Sequence, residues 1–190
     1  MLVPSLLSLQ VATPCEVQTP DGPLRTALAK QPVSGRIELR PRALAGDGCA
    51  DLVHHGTEDQ AVCVFPQEHY RWWREHLGLS AEHFPYGSFG ENFTVEGQTE
   101  ESAYIGDRYR IGTAVVELTK PRQPCSTLNK VWGEPQLAAQ MGRRGLTGWY
   151  LRVLEPGEVQ AGDLFQLLER SALAPTVADA WKSKQSRQVP

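Results

Sequence analysis

The stretch from Glu117 to Lys130, ELTKPRQPCSTLNK, sets a thiol among basic residues and directly after a proline. Lys120, Arg122 and Lys130 flank Cys125 in the chain. Cations beside a thiol favour the thiolate, the form that attacks electrophiles and binds soft metals. Pro121 cannot donate to a sheet ladder and Pro124 fixes its own φ, so Cys125 is expected on a stiff loop at a strand end. Such a loop aims one side chain without an ordering cost on binding. Nucleophilic attack, soft-metal ligation and sulfur transfer are the chemistries open to a residue so placed.

Two more polar clusters offer binding groups. LVHHGTEDQAV (52–62) reads as a loop delivering His54, His55, Glu58 and Asp59 to the entrance of a strand, with Gly56 allowing close backbone approach to a ligand. YGSFGENFTVEG (86–97) places Gly87 and Gly90 before Glu91 and Asn92, and the Asn amide both donates and accepts, which suits a heterocycle or an anion. Each is also ordinary turn chemistry. MGRRG (141–145) reads as a basic turn that binds phosphate or complements a helix C-terminus. The remaining cysteines carry less: Cys63 in AVCVF reads as core, Cys49 lacks the further ligand pair a zinc site needs, and Cys15 has no supporting context. No C-x-x-C pair occurs, and all four are expected as thiols in a reducing compartment.

The elements positioning these residues are mainly strands. Val33 to Leu39, Ala61 to Phe65, Asn92 to Val95, Tyr109 to Ile111, Ala114 to Thr119, Trp149 to Leu154 and Leu164 to Leu168 are short β-rich runs between Gly and Pro signals. Gly112-Thr113, Pro156-Gly157 and Gly162-Asp163 mark antiparallel meanders, so a closed or nearly closed sheet is expected. Helices are expected over Gln67 to Leu77 and Glu134 to Met141, with a short one capped by Thr176. The first packs Tyr70, Trp73 and Leu77 onto the sheet, and its adjoining row of His69, Trp72 and His76 reads as structure.

At 190 residues one sizeable core is the expected unit, and a net charge of −3 offers a nucleic-acid polymer no overall attraction. The first apolar run is broken by Pro4 and Ser8 with no preceding Lys or Arg, which argues against a signal peptide. No span approaches transmembrane length. A cytoplasmic protein is expected.

In this order, GDGCADLVHHGTEDQAV, FGENF, YIGDRYRIG, KPRQPC and TGWYLRVLEPGEVQAGD resemble the MOSC domain family, in its short YiiM-like bacterial branch. The resemblance covers roughly residues 30 to 170. It implies a mainly β fold with a few helices (α+β), a MOSC-type β-barrel over residues 1–170, and a short helical or disordered tail over 171–190. It also implies binding of the molybdenum cofactor, a molybdenum held by the dithiolene of a phosphorylated pterin (Mo-molybdopterin). By resemblance Cys125 ligates molybdenum and is the catalytic residue, Arg122 and Lys120 meet the pterin or its phosphate, and Asn92 hydrogen-bonds the cofactor. His55, Gly56 and Asp59 line the same cleft. The activity implied is two-electron reduction of N-hydroxylated compounds such as 6-N-hydroxylaminopurine to amines.

No nicotinamide or flavin fingerprint is present, so a separate electron-donating reductase is the partner expected beside the small-molecule substrate. Pyridoxal phosphate, a membrane and a nucleic-acid polymer are not expected, and a homodimer stays open. The chain departs from the family pattern at Thr57, where the second glycine of His-Gly-Gly would stand, and it reaches about one helix into a three-helix C-terminal module. Two other readings share the reactive thiol: a non-catalytic carrier of the cofactor or of sulfur, and a cysteine hydrolase with His55 as base.

Overall fold

The computed structural model describes residues 3–51 and 56–187. Its strands, in chain order, are β1 (Ser5–Val11), β2 (Cys15–Thr19), β3 (Gly22–Thr26), β4 (Gln31–Pro32), β5 (Ile37–Leu39), β6 (Val62–Pro66), β7 (Phe93–Glu96), β8 (Arg108–Ile111), β9 (Ala114–Pro121), β10 (Trp149–Glu155), β11 (Gly157–Val159) and β12 (Gln166–Glu169). The helices are α1 (Glu68–Leu77), α2 (Ser126–Trp132), α3 (Leu137–Arg144) and α4 (Val177–Ser186). Eight strands form one sheet in the order β12-β8-β9-β10-β6-β7-β1-β4, and β2 with β3 and β5 with β11 make two separate ribbons. Within the large sheet only the β6–β7 pair is parallel. The sheet curls on itself: Leu6 N–H donates to Asp163 O and Phe165 N–H to Pro4 O, each at 2.8 Å, joining the stretch before β12 to the start of β1.

Two cores follow from strand alternation. Val62 and Val64 of β6, Val116 and Leu118 of β9, and Trp149 and Leu151 of β10 point into the barrel. Phe65 points the other way, joining Tyr70 and Trp73 of α1, Phe89, Leu128 of α2 and Met141 of α3 in an aromatic core. This explains why every residue of β6 is buried: its second face lies against helices rather than solvent. The His69, Trp72 and His76 row is structural, with His69 paired to Glu100 at 2.7 Å and Trp72 stacked on His76 beneath Arg144.

The sheet corrects several expectations. SLLSLQV is β1, an inner strand, and QTPDGPL makes the β2–β3 turn, neither of which was expected as strand. Gly112-Thr113 does join the β8–β9 hairpin, but β11 pairs with β5 and β12 with β8, so the meander stops at β10. α2 begins at Ser126, directly after Cys125, where a loop was expected. Thr176 caps α4 through Asp179 N–H, and Trp181 locks the helix by donating to Gly142 O at 2.8 Å. Among the described residues no helix is long and apolar enough to cross a membrane.

Candidate functional site

A cavity of about 940 Å³ opens on the face of the sheet turned away from the barrel core, and Cys125, Arg122, Lys120, Asn92 and Gly56 all line it. Alternation puts two unexpected residues there. Cys63 lies between Val62 and Val64, and Tyr150 between Trp149 and Leu151, so each faces away from the core and onto the cavity. Cys63, read from sequence as core, is therefore part of the wall, although only 7% exposed.

Lys120 reaches the cavity through an irregularity. In a regular strand it would share the inward face of Leu118, two residues earlier. Leu118 pairs with Leu151 and Lys120 with Tyr150, so two steps along β9 match one along β10, with Thr119 the extra residue. A bulge of this kind re-aims the following side chain, here from the apolar core to the cavity. Beyond it, Arg122 N–H donates to Gly148 O at 3.0 Å, and Cys125 takes the N-cap position of α2 in extended conformation (φ −113°, ψ 157°).

Arg122 carries the sharpest electrostatic feature. Its side chain is 4% exposed, its Nη2 donates to Phe89 O, and its buried Nη1 has no hydrogen-bond partner among the described residues. Burial alone would lower the guanidinium pKa, yet the groups around it, Cys63, Tyr150, Cys125 and Glu91, raise it above its ordinary value, so it stays charged. Burial raises the Cys63 thiol and the Tyr150 phenol, with Arg122 pulling both partly back. An unsatisfied buried N–H on a cation costs about 1–3 kcal/mol or more, a cost that an anionic ligand in the cavity would remove.

Asn92 serves the wall rather than the opening. Its Oδ1 accepts from Cys63 N–H at 3.1 Å, and its Nδ2 donates to Asp47 Oδ2 at 2.8 Å and Gln10 O at 3.3 Å, tying β6, β1 and the Asp47 loop together. Asp47 in turn accepts from Lys30 Nζ at 2.5 Å and Ala12 N–H at 2.8 Å, an almost fully buried ion pair that sequence reading missed. Glu91 is wholly buried and accepts from Gly87 N–H (2.8 Å), Phe89 N–H (3.2 Å), Thr94 Oγ1 (2.9 Å) and the Tyr70 hydroxyl. It holds the turn ending at Gly90, whose φ of +76° and approach to Leu28 leave no room for a Cβ.

The other expected residues are placed differently. Asp59 does not line the cavity: its carboxylate lies 3.5 Å from Arg152 Nη1 and its carbonyl accepts from Thr119 Oγ1. His55, with His54, falls outside the described residues. Cys49 lines the cavity, while Cys15 is exposed. Among the described residues no group of three or more His, Cys, Asp or Glu could hold a bare metal ion. A soft thiol, a buried guanidinium and an ammonium fit a metal chelated by an anionic organic group.

A curled mainly antiparallel sheet with one helix-capped thiol cavity defines the class, and the MOSC domain family matches this chain over residues 51–166. The chain belongs to that family, which is associated with the molybdenum cofactor. It is 42% identical over 166 residues to uncharacterized protein YflK of Bacillus subtilis, spanning 87% of this chain and 74% of YflK. It is 37% identical over 145 residues to protein YiiM of Escherichia coli, spanning 76% of this chain and 65% of YiiM, so it covers just under two thirds of that relative. A Gibberella moniliformis protein named Reductase is 34% identical over 150 residues, 78% of this chain but 27% of the relative. The crystal structure of YiiM from Geobacillus stearothermophilus superposes with a TM-score of 0.80 at 30% identity, covering 98% of this chain and 86% of that one.

Proposed function

We propose that this protein is a molybdenum-cofactor-dependent reductase that converts N-hydroxylated compounds, 6-N-hydroxylaminopurine among them, to amines, with Cys125 as the protein ligand to molybdenum. The observation that carries the reading is one cavity lined by both Cys125 and Arg122, whose buried Nη1 has no hydrogen-bond partner among the described residues. Family membership and the relative named Reductase support it.

The cofactor, when bound, supplies two-electron redox chemistry. The chain's own residues do the rest. Cys125, at the end of a proline-stiffened segment and at the N-cap of α2, offers a thiolate in a fixed direction. Arg122 and Lys120 bind the anionic part of the pterin, and Gly56 leaves backbone room beside it. Asn92 holds the Asp47 loop against β6 so that the wall keeps its shape. The balanced reaction takes an N-hydroxylamine, two electrons and two protons to the amine and water, and a separate reductase supplies the electrons. The unit that does this is the barrel, residues 1–170, with α4 laid against it, in the cytoplasm.

The test is elemental analysis for molybdenum on protein made in a host that synthesises the cofactor, comparing wild type with Cys125→Ser. Near-stoichiometric molybdenum lost in the variant is expected, with unfolding stability changed by less than about 1 kcal/mol because the residue lies outside both cores. A variant that keeps full molybdenum content and activity would refute the ligand assignment, and wild type without molybdenum would leave carriage of sulfur on Cys125 as the better reading.

A further inference from the structure

The cavity holds more positive charge than one cofactor phosphate uses. Arg25, Lys30, Arg42, Lys120, Arg122 and Lys184 line it against two carboxylates, Asp47 and Asp51, in a chain of net charge −3. Lys30 is taken by Asp47 at 2.5 Å, and Arg42 leans on Glu58 at 3.4 Å. Arg25, Lys120, Arg122 and Lys184 make no ion pair among the described residues. Lys120 and Arg122, on the stretch that leads to Cys125, are assigned to the cofactor. That leaves Arg25, on the β2–β3 ribbon, and Lys184, on α4, both on elements outside the large sheet. Lys184 Nζ donates to Gln123 Oε1 at 2.7 Å, which steadies the ammonium over the segment between Arg122 and Cys125.

Two exposed cations held at a cavity mouth by separate elements attract and orient an anion, and they offer a neutral base nothing. We infer that the substrate carries its own phosphate: an N-hydroxylated nucleotide, its phosphate met by Arg25 and Lys184, is preferred over the corresponding free base. This rests on the reductase reading above. A volume of about 940 Å³ stands at the upper end of small-molecule sites, which run to about 1,000 Å³, so a nucleotide can lie beside a cofactor.

The test compares N6-hydroxyadenine with its riboside 5′-monophosphate on cofactor-loaded protein driven by a chemical reductant. kcat/KM for the monophosphate is expected to exceed that for the base by about tenfold or more at low salt, with the advantage shrinking as salt screens the rim. R25E and K184E should each lower kcat/KM for the monophosphate more than for the base, at unchanged molybdenum content, and R25K and K184R should retain the preference. Calorimetry of adenosine 5′-monophosphate against adenosine on the loaded protein reads the same preference without turnover. Equal kcat/KM values together with equal calorimetric affinities would overturn the inference. Loss of molybdenum in R25E or K184E would also overturn it, by reassigning those cations to the cofactor. A loaded protein that reduces neither compound yet still binds the monophosphate more tightly than adenosine would sink the reductase reading and leave the anion site standing.

Discussion

Replacing Arg122 with Met separates binding from folding. The substitution removes the Nη2 hydrogen bond to Phe89 O, a charge-assisted contact of about 1.5–3 kcal/mol. It also removes a buried Nη1 that has no partner among the described residues, which returns about 1–3 kcal/mol. Met keeps the apolar stem, and the cavity side needs no refilling. The two contributions nearly cancel, so metal-free R122M should unfold in urea within about 1.5 kcal/mol of wild type. Molybdenum recovered from a cofactor-producing host should meanwhile fall about tenfold or more, because the ligand loses a desolvated cation. A variant that loses more than about 3 kcal/mol, as when a buried pair is broken, while keeping its molybdenum would make Arg122 a structural residue and refute the reasoning.

Gly90→Ala should cost about 2–4 kcal/mol in urea unfolding, combining a left-handed backbone with a Cβ placed 2.0 Å from Leu28 Cδ2; a loss below about 1 kcal/mol would mean that Leu28 simply swings aside. Burial raises the Glu91 carboxyl above its ordinary 4.5, so the stability it contributes is complete below that value and declines as pH rises through the folded-state pKa. Relative to Glu91→Gln, wild type should therefore lose ground as the pH of the unfolding measurement is raised from 4 towards neutrality, and parallel stability curves would contradict a raised Glu91.

Much of the site was legible because it follows chain chemistry. Cations and prolines around Cys125 marked the thiol, and Gly90 and Asn92 marked a turn pressed against the wall. What escaped depended on pairing. Tyr150 reads as one more apolar strand residue until Trp149 and Leu151 are known to point inward, and Cys63 looked like core because both faces of its strand are covered. α2 was hidden since Cys125 follows two prolines, which argue for loop up to the residue where a helix begins. β1 was weighed as a leader peptide rather than as a strand. The Lys30–Asp47 pair joins residues 17 apart in sequence through a fold that neither announces.

The extra residue in β9 gives this strand a reading frame. Deleting Thr119 would leave Lys120 directly after Leu118, opposite Tyr150 and still on the cavity face, and would remove only the hydroxyl that bonds Asp59 O and Tyr150 O. Pairing Thr119 itself with Tyr150, with no residue left over, would instead put Lys120 on the inward face beside Leu118 and exchange a binding group for a buried charge. The extra residue is therefore the one place in β9 where the strand can shorten by one while the register of its cavity end is kept.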